Sequence, residues 1–351
     1  MKNYKININQ ISTYLFYLIP IALITGPFIP DLFLCLICLF YLINRRLEFF
    51  KDIFKNLFIK VFFIFYFYIL IRSLLSENIL LSLESSLFYF RFGIFILAVT
   101  YLLNNKFIDV KITSKIFLIT LLFISIDCIF QFITGSNFIG LEKYDNRLTS
   151  FFTGYDGVYN NLVVGNYLAR LLPISLALIL MTFILNKKNI LFFIIFLNIT
   201  SAAIFFSGER VTILNLIILY LSLCLINFGF RKIFLLNTII LLLFFILSLF
   251  SYNNLKDRII TETVEQINLS DGKKFQIISS VHHPMIVNAF KNFKDNIIFG
   301  NGTKMFREIC KKYDQEDNSC NTHPHNTYVQ LLAETGLVGF SFVFIFFILV
   351  S

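Results

Sequence analysis

The sequence predicts an all-α fold, a polytopic bundle of transmembrane helices with one long polar loop that carries short helices. Composition is the first reason. Of 351 residues, 57% are hydrophobic and 18% aromatic, only 15% are charged, and the mean hydropathy is +0.77. A water-soluble domain cannot hide that much apolar surface. The second reason is that the apolar runs are long and continuous, without the period-2 alternation of an outer-membrane barrel. The third is where the charge falls. A formal net charge of +9 would suit a nucleic-acid binder. Much of the lysine and arginine lies in short loops between apolar runs, however, where orientation in the membrane accounts for it. Membrane lipids, not nucleic acid, are therefore the expected surroundings.

In chain order, the basic start MKNYK precedes an apolar run from about Ile11. This start resembles a signal peptide, but no small-residue cleavage site follows, so a membrane span is expected instead. Pro20, Gly26, Pro27 and Pro30 predict a bent first span and a tight turn into a second, about Asp31 to Ile43. Arg45, Arg46, Lys51 and Lys55 mark the next loop as cytoplasmic. Further spans are expected at about Leu57–Leu75, Leu87–Leu103, Ile116–Ile133 and Tyr159–Leu185, then up to Ser207, then up to Arg231, and at about Ile233–Phe250. Every short loop agrees with one orientation, the N-terminus in the cytoplasm.

Three parts result: residues 1–250, a bundle of about nine spans; residues 251–326, a large polar loop on the outer face; and residues 327–351, a last transmembrane segment. The loop contains all four histidines. The apolar run from Gly336 to Ser351 has 16 residues. That is about 24 Å of helix, against a hydrocarbon core of about 30 Å. Either the span begins earlier, near Tyr328, and takes Gln330 and Glu334 into the bilayer edge, or the chain is truncated.

Chemistry is expected where the loop meets this last span, in THPHNTYVQLLAETGLVG (Thr322 to Gly339). Pro324 keeps the preceding chain extended. Asn326 is a good N-cap, so a helix should start at Thr327. Asn326, Gln330 and Glu334 would share one face of it. Gly336 and Gly339 allow a bend or a close helix contact. A histidine beside that helix start, His325, is placed for proton transfer. For a lone histidine, the blander reading is a backbone hydrogen bond near a helix end.

The pattern His325-Asn326, nine residues, Gly336, two residues, Gly339 resembles the signature of the O-antigen ligase and polymerase family of bacterial envelope glycosyltransferases. Its place, at the end of the long loop and before a late span, is also similar to the family's. The family usually has about a dozen spans, against about ten counted here. The segment HHPMIVNAFKNFKDNIIFGNGTKMF also resembles the family, which often carries an amphipathic helix and then Gly-x-Gly before a phenylalanine, here Gly300, Gly302 and Phe306. Read from the residues, those glycines are turn formers, because the spacing is wrong for a P-loop. His282 and His283 open the segment, and a surface helix start is the expectation, with one of them facing the site as the alternative.

The resemblance marks two arginines. Arg210, in FFSGERVTIL at the outer end of a span, looks like the family's arginine counterpart, although Glu209 stands where small residues are commoner. A snorkelling, headgroup-facing arginine is the alternative. Arg147, in DNRLTSFFTG and followed by Asn160 and Asn161, resembles the family's arginine-containing segment before the sixth span. Guanidinium binds phosphate oxygens through a planar fork. Arg72, Arg91, Asp127 and Arg170 fall in or beside apolar runs. Intramembrane charge normally faces the bundle interior, so Arg91 and Arg170, with His282, are candidate cavity-lining residues. A structural ion pair of Asp127 with Arg91 or Arg170 is the alternative. Cys310 and Cys320, with nine residues between them and outside the membrane, are expected to form a disulfide. A metal site built from them with His323 and His325 does not have zinc-motif spacing.

The resemblance implies a multi-pass bacterial inner-membrane enzyme that needs no metal and no cofactor. It would move a glycan from a polyprenyl-pyrophosphate donor to an acceptor hydroxyl on the periplasmic face. The acceptor would be lipid A core, a second glycan or a protein. His325 would be the general base with Asn326 beside it, and Arg210 and Arg147 would hold the pyrophosphate. No Asp-x-Asp motif suggests a nucleotide-sugar transferase. The rival class is a secondary transporter of a small anionic solute, since intramembrane Arg and Asp would also serve ion coupling.

Overall fold

A computed structural model describes residues 7–46, 48–144, 147–152, 163–183, 187–225, 231–266, 282–313 and 320–350. The basic N-terminus, Asn160 and Asn161 lie outside them. Among the described residues, nine helical stretches are long and apolar enough to cross a membrane. A tenth apolar helix, α10 (Arg210–Leu225), has 16 residues. The chain is a multi-pass membrane protein made of helices, as the hydropathy predicts.

The chain forms two compact units, one of residues 1–33 and 105–263, the other of residues 34–104 and 264–351. In the first, α1 (Ile8–Ala22) starts on Asn7, whose side chain accepts from the Asn9 N–H. Pro20 lies inside α1, and its carbonyl accepts a 2.7 Å bond from the Tyr167 hydroxyl. Gly26, at φ 99, ends the short turn after α1 before α2 (Phe28–Arg45) begins, which is the tight turn expected there. The body of this unit is α7 (Val110–Thr134), α8 (Val164–Thr182), α9 (Lys187–Phe206), α10 and α11 (Arg231–Ser251), packed around one apolar core that includes Leu121, Leu168, Phe193, Phe196 and Phe234. Polar side chains join neighbouring spans. Asn198 and Asn237 exchange amide hydrogen bonds of 2.9 and 3.1 Å, and the Ser201 and Tyr220 hydroxyls lie 3.1 Å apart. Such bonds hold helices together where lipid gives no hydrophobic drive.

In the second unit, α3 (Phe49–Lys55) leads into α4 (Leu57–Leu74), which is capped by Asn56. The expected span at Leu87–Leu103 begins earlier. Asn78 caps α5 (Ile79–Ser86) by accepting from the Leu81 N–H, and α6 (Phe90–Asn104) follows after a brief turn. After α11, α12 (Asn253–Lys256) still belongs to the first unit, and α13 (Glu262–Gln266) runs across its end into the second. The rest of the polar segment contributes α14 (His283–Asp295) and α15 (Phe306–Ile309). The last helix, α16 (Thr327–Val350), packs on α4 and α14. It begins at Thr327, the earlier of the two starts considered, so Gln330 and Glu334 belong to it. At Gly336, with φ 65 and ψ −169, it breaks into two pieces.

Candidate functional site

The break in α16 is filled by backbone. The amides of Leu337 and Val338 donate to the carbonyls of Ile297 and Ile298, at 2.9 and 3.1 Å. In return the amides of Asn301 and Gly302 donate to Ala333 and Glu334, at 3.2 and 2.8 Å. The groups freed where the helix stops are thus satisfied by the turn that follows α14. α4 locks the joint from the other side. The Tyr68 hydroxyl lies 2.5 Å from the Thr335 carbonyl and 2.9 Å from that of Phe299, and the Arg72 guanidinium donates to the Gly300 carbonyl at 2.6 Å. Gly300 and Gly302, at φ 70 and 107, are turn residues, but they are also contact residues. A Cβ on Gly300 would lie 2.4 Å from the Gly336 nitrogen.

α14, α15 and the first piece of α16 share a small core of Ile286, Ala289, Phe306, Cys310, Val329 and Ala333. That core brings the starts of α14 and α16 together, and histidines sit at both. The His282 and His325 rings are 4.8 Å apart, and the His323 and His325 rings 4.2 Å apart. His282 therefore both precedes a helix and faces the other histidines. Asn326 caps α16, its side-chain oxygen accepting from the Tyr328 and Val329 amides at 3.1 Å each. His325 stands immediately before this cap at φ 53, a conformation uncommon for a side-chain-bearing residue. Holding it costs on the order of 1 kcal/mol, and such strain gathers at functional sites. The Asn321 amide nitrogen lies 3.4 Å from His325 Nε2, and Thr322 Oγ1 2.9 Å from His323 Nδ1.

Cys310 and Cys320 are bonded to each other, with Cα atoms 5.6 Å apart. Neither sulfur is therefore a thiolate ligand. The bond ties α15 to the segment that leads into His323.

His323 is held below its ordinary value by partial burial, by the His325 ring and by the charge of Arg307. The sign for stability follows. Below about pH 6.5, the usual histidine value, the unfolded chain takes up a proton that the folded one resists, so stability is lost as pH falls through that point. His323 is exposed, so the effect is small. Thermal unfolding at pH 7.5 and 5.5 should show a shallower acid loss for His323→Asn than for wild type. Equal pH slopes in the two proteins would remove this account.

Glu334 is buried, 6% exposed, and accepts a 3.1 Å bond from Gln330 Nε2, which is the pairing expected of residues four apart. Gly339 is crowded: a Cβ there would lie 2.2 Å from the Thr335 side chain and 3.0 Å from the Tyr68 ring. Arg91 belongs to this unit too, on α6, with its guanidinium 5.1 Å from the Phe92 ring and its carbonyl accepting from Cys38.

The other arginines belong to the first unit. Asp127 and Gln131 on α7 pin the loop that carries Arg147. Asp127 accepts from the Phe138 amide at 2.9 Å and the Ser150 hydroxyl at 2.6 Å, and Gln131 bonds to the Thr149 and Ser150 amides and to the Leu141 carbonyl. Among the described residues, both Asp127 oxygens are thus engaged by the loop. Glu209 answers the start of α8: its carboxylate accepts from the Gly165 amide at 2.8 Å and from the Asn166 amide and side chain at 3.2 and 2.6 Å. A carboxylate there meets the positive end of the helix. Burial pushes its pKa up, while those amides and the charges of Arg147 and Arg170 oppose the rise. Arg170 itself is exposed on α8. Next along the chain, Arg210 donates to Thr263 Oγ1 at 3.2 Å. Arg258, paired with Glu262, is close enough for its charge to act on Arg210, and its side chain lies against Gly208.

Sequence reasoning overlooked Arg258 and Arg307. Neither lies in a patterned motif. Arg307 has one signal, a guanidinium three residues before a cysteine in a polar segment, and Arg258 has none.

Fold and site together define a multi-pass helical membrane protein whose polar segment docks a histidine cluster onto its last helix. Residues 191–344 match the family model described as O-antigen ligase. The match takes in Arg210, Arg258, the three clustered histidines, both cysteines, Gly336 and Gly339, and leaves out Arg91, Arg147 and Arg170. No curated protein matches the chain.

Proposed function

We propose that the protein is a glycosyltransferase of the bacterial inner membrane, with its N-terminus in the cytoplasm and its long polar segment in the periplasm. It moves a glycan from a polyprenyl pyrophosphate to an acceptor hydroxyl on lipid A core, on a second glycan or on a protein. His325 removes the acceptor proton. The acceptor oxygen bonds to the anomeric carbon as the carbon–oxygen bond to phosphate breaks, and the electron pair leaves with the pyrophosphate. That leaving group carries its charge well, so the protein's task is electrostatic, and Arg210 and Arg147 supply positive charge to it. Asn326 holds His325 in place through the helix cap. No metal or cofactor takes part in any of these steps.

The observation that carries this reading is the gathering of His282, His323 and His325 beside the capped start of α16, within the O-antigen ligase match. The test is glycan profiling of envelope lipids and proteins in a strain lacking the gene, with and without the wild-type copy. Long glycan lost and then restored supports the enzyme. Single-repeat caps identify a polymerase, and bare core a ligase. An unchanged profile would turn attention to anionic-solute uptake.

The bidentate role of Arg210 has its own test. Arg210→Lys keeps the charge and loses the fork. It should cut transfer about tenfold or more. A near-wild-type rate would mean that Arg210 only snorkels.

A further inference from the structure

The turn between α14 and Gly300 is apolar where a segment in water should be polar. Ile297, Ile298 and Phe299 follow one another with 46%, 56% and 50% of their surfaces exposed. No charged residue lies between Asp295 and Lys304. The partners of this turn set its height along the spans. Tyr68, which holds the Phe299 carbonyl, stands six residues inside the end of α4 at Leu74, about 9 Å along the helix axis. Gly336, against which Gly300 packs, is nine residues inside the start of α16 at Thr327, about 14 Å along it. At the same level α4 exposes Phe67 and Ile71, and α16 exposes Leu337. On a span, such side chains face lipid.

The backbone of the turn meets a second requirement. Irregular main chain is tolerated at membrane depth only where protein satisfies its polar groups. Four successive carbonyls, of Ile297, Ile298, Phe299 and Gly300, accept from Leu337, Val338, Tyr68 and Arg72. The amides of Phe299 and Gly300 donate to Asn296, and those of Asn301 and Gly302 to Ala333 and Glu334. A turn in water needs no such completeness, because solvent serves those groups. We propose that Ile297–Phe299 is a re-entrant wedge, its three side chains inserted among the acyl chains of the leaflet nearer the histidine cluster. The polar segment then dips once into the bilayer and is anchored there. Its partner is hydrocarbon, since the tip carries no charge for a headgroup. The wedge also fixes the height of the histidines, because the first piece of α16 joins Gly336 to the cap beside His325. That piece is about 14 Å long, which carries the cluster to the membrane surface. None of this depends on which reaction the cluster performs.

The chain has no tryptophan, so Phe299→Trp gives the full chain a single indole, to be measured in phosphatidylcholine nanodiscs. Phe67→Trp is the lipid-facing reference, and Lys311→Trp, exposed on the polar segment, the water-facing one. Nitroxide carried on the lipid acyl chains should quench Phe299→Trp to within about twofold of Phe67→Trp, since both indoles would sit in the hydrocarbon layer. Aqueous iodide should quench it about fivefold less than Lys311→Trp, because the hydrocarbon layer excludes the ion. Ile298→Trp repeats the measurement one residue along, which guards against local damage by one indole. Iodide quenching of both variants at the Lys311→Trp level overturns the proposal. So does protection of both from either quencher, which would mean that protein, such as a second copy of the chain, covers the turn.

Discussion

Replacing His325 with alanine should leave the protein inserted and folded yet reduce glycan transfer by about a hundred- to ten-thousandfold, the usual contribution of a positioned general base. His325 is exposed at the surface of the cluster and outside its apolar core, so its side chain is not needed for packing. Removing it also relieves nothing in the backbone, because φ 53 is no easier for alanine than for histidine. Asn326→Ala should behave differently. It removes the two 3.1 Å bonds that cap α16 and costs about 1 kcal/mol of stability, with a milder loss of transfer through a less well-placed His325. Complementation of the deletion strain, read by glycan profile and by protein level, separates the two. Full transfer by His325→Ala at normal protein level would end the assignment of a base to this residue.

The second large effect is structural. Gly300→Ala and Gly336→Ala should each undo the docking of the polar segment. At Gly336 a Cβ would lie 2.4 Å from the Ile298 carbonyl oxygen, and at Gly300 2.4 Å from two backbone nitrogens of α16, with φ of 65 and 70. These neighbours are main chain and cannot rotate away. Forcing them apart sacrifices the four hydrogen bonds that join residues 297–302 to 333–338, at about 1 kcal/mol each. The positive φ adds about 1–3 kcal/mol. Gly140→Ala is the matched control, since φ is 87 and nothing lies within 4 Å of its Cβ. It should lose only the conformational part. Limited proteolysis of the polar segment and thermal unfolding give the comparison. A Gly336→Ala protein as stable as Gly140→Ala would show that the break in α16 is not held by these contacts.

The spans, the cap and the short-range pairings could be read directly from the sequence. Hydropathy summed over about twenty residues is a local property, and so is the choice of Asn326 to end an extended segment and begin a helix. Gln330 and Glu334 met because four residues make about one turn. The early start of α5 was missed because an Asn78 cap inside an acidic turn looks the same as a loop.

The sequence by itself determined the class of protein, the helix that carries the histidine and the chemistry its side chain can do. Tertiary structure alone decided what stands beside that histidine. His282 and His325 are brought together by a core shared between α14 and α16. Gly300 is held by Arg72, 228 residues away, and by a helix break at Gly336 that neither glycine signals alone. Periodicity reports which face of a helix is apolar, not which distant turn its broken backbone will accept. That choice is made by hydrogen-bond geometry between segments, and it becomes visible only when both are in place.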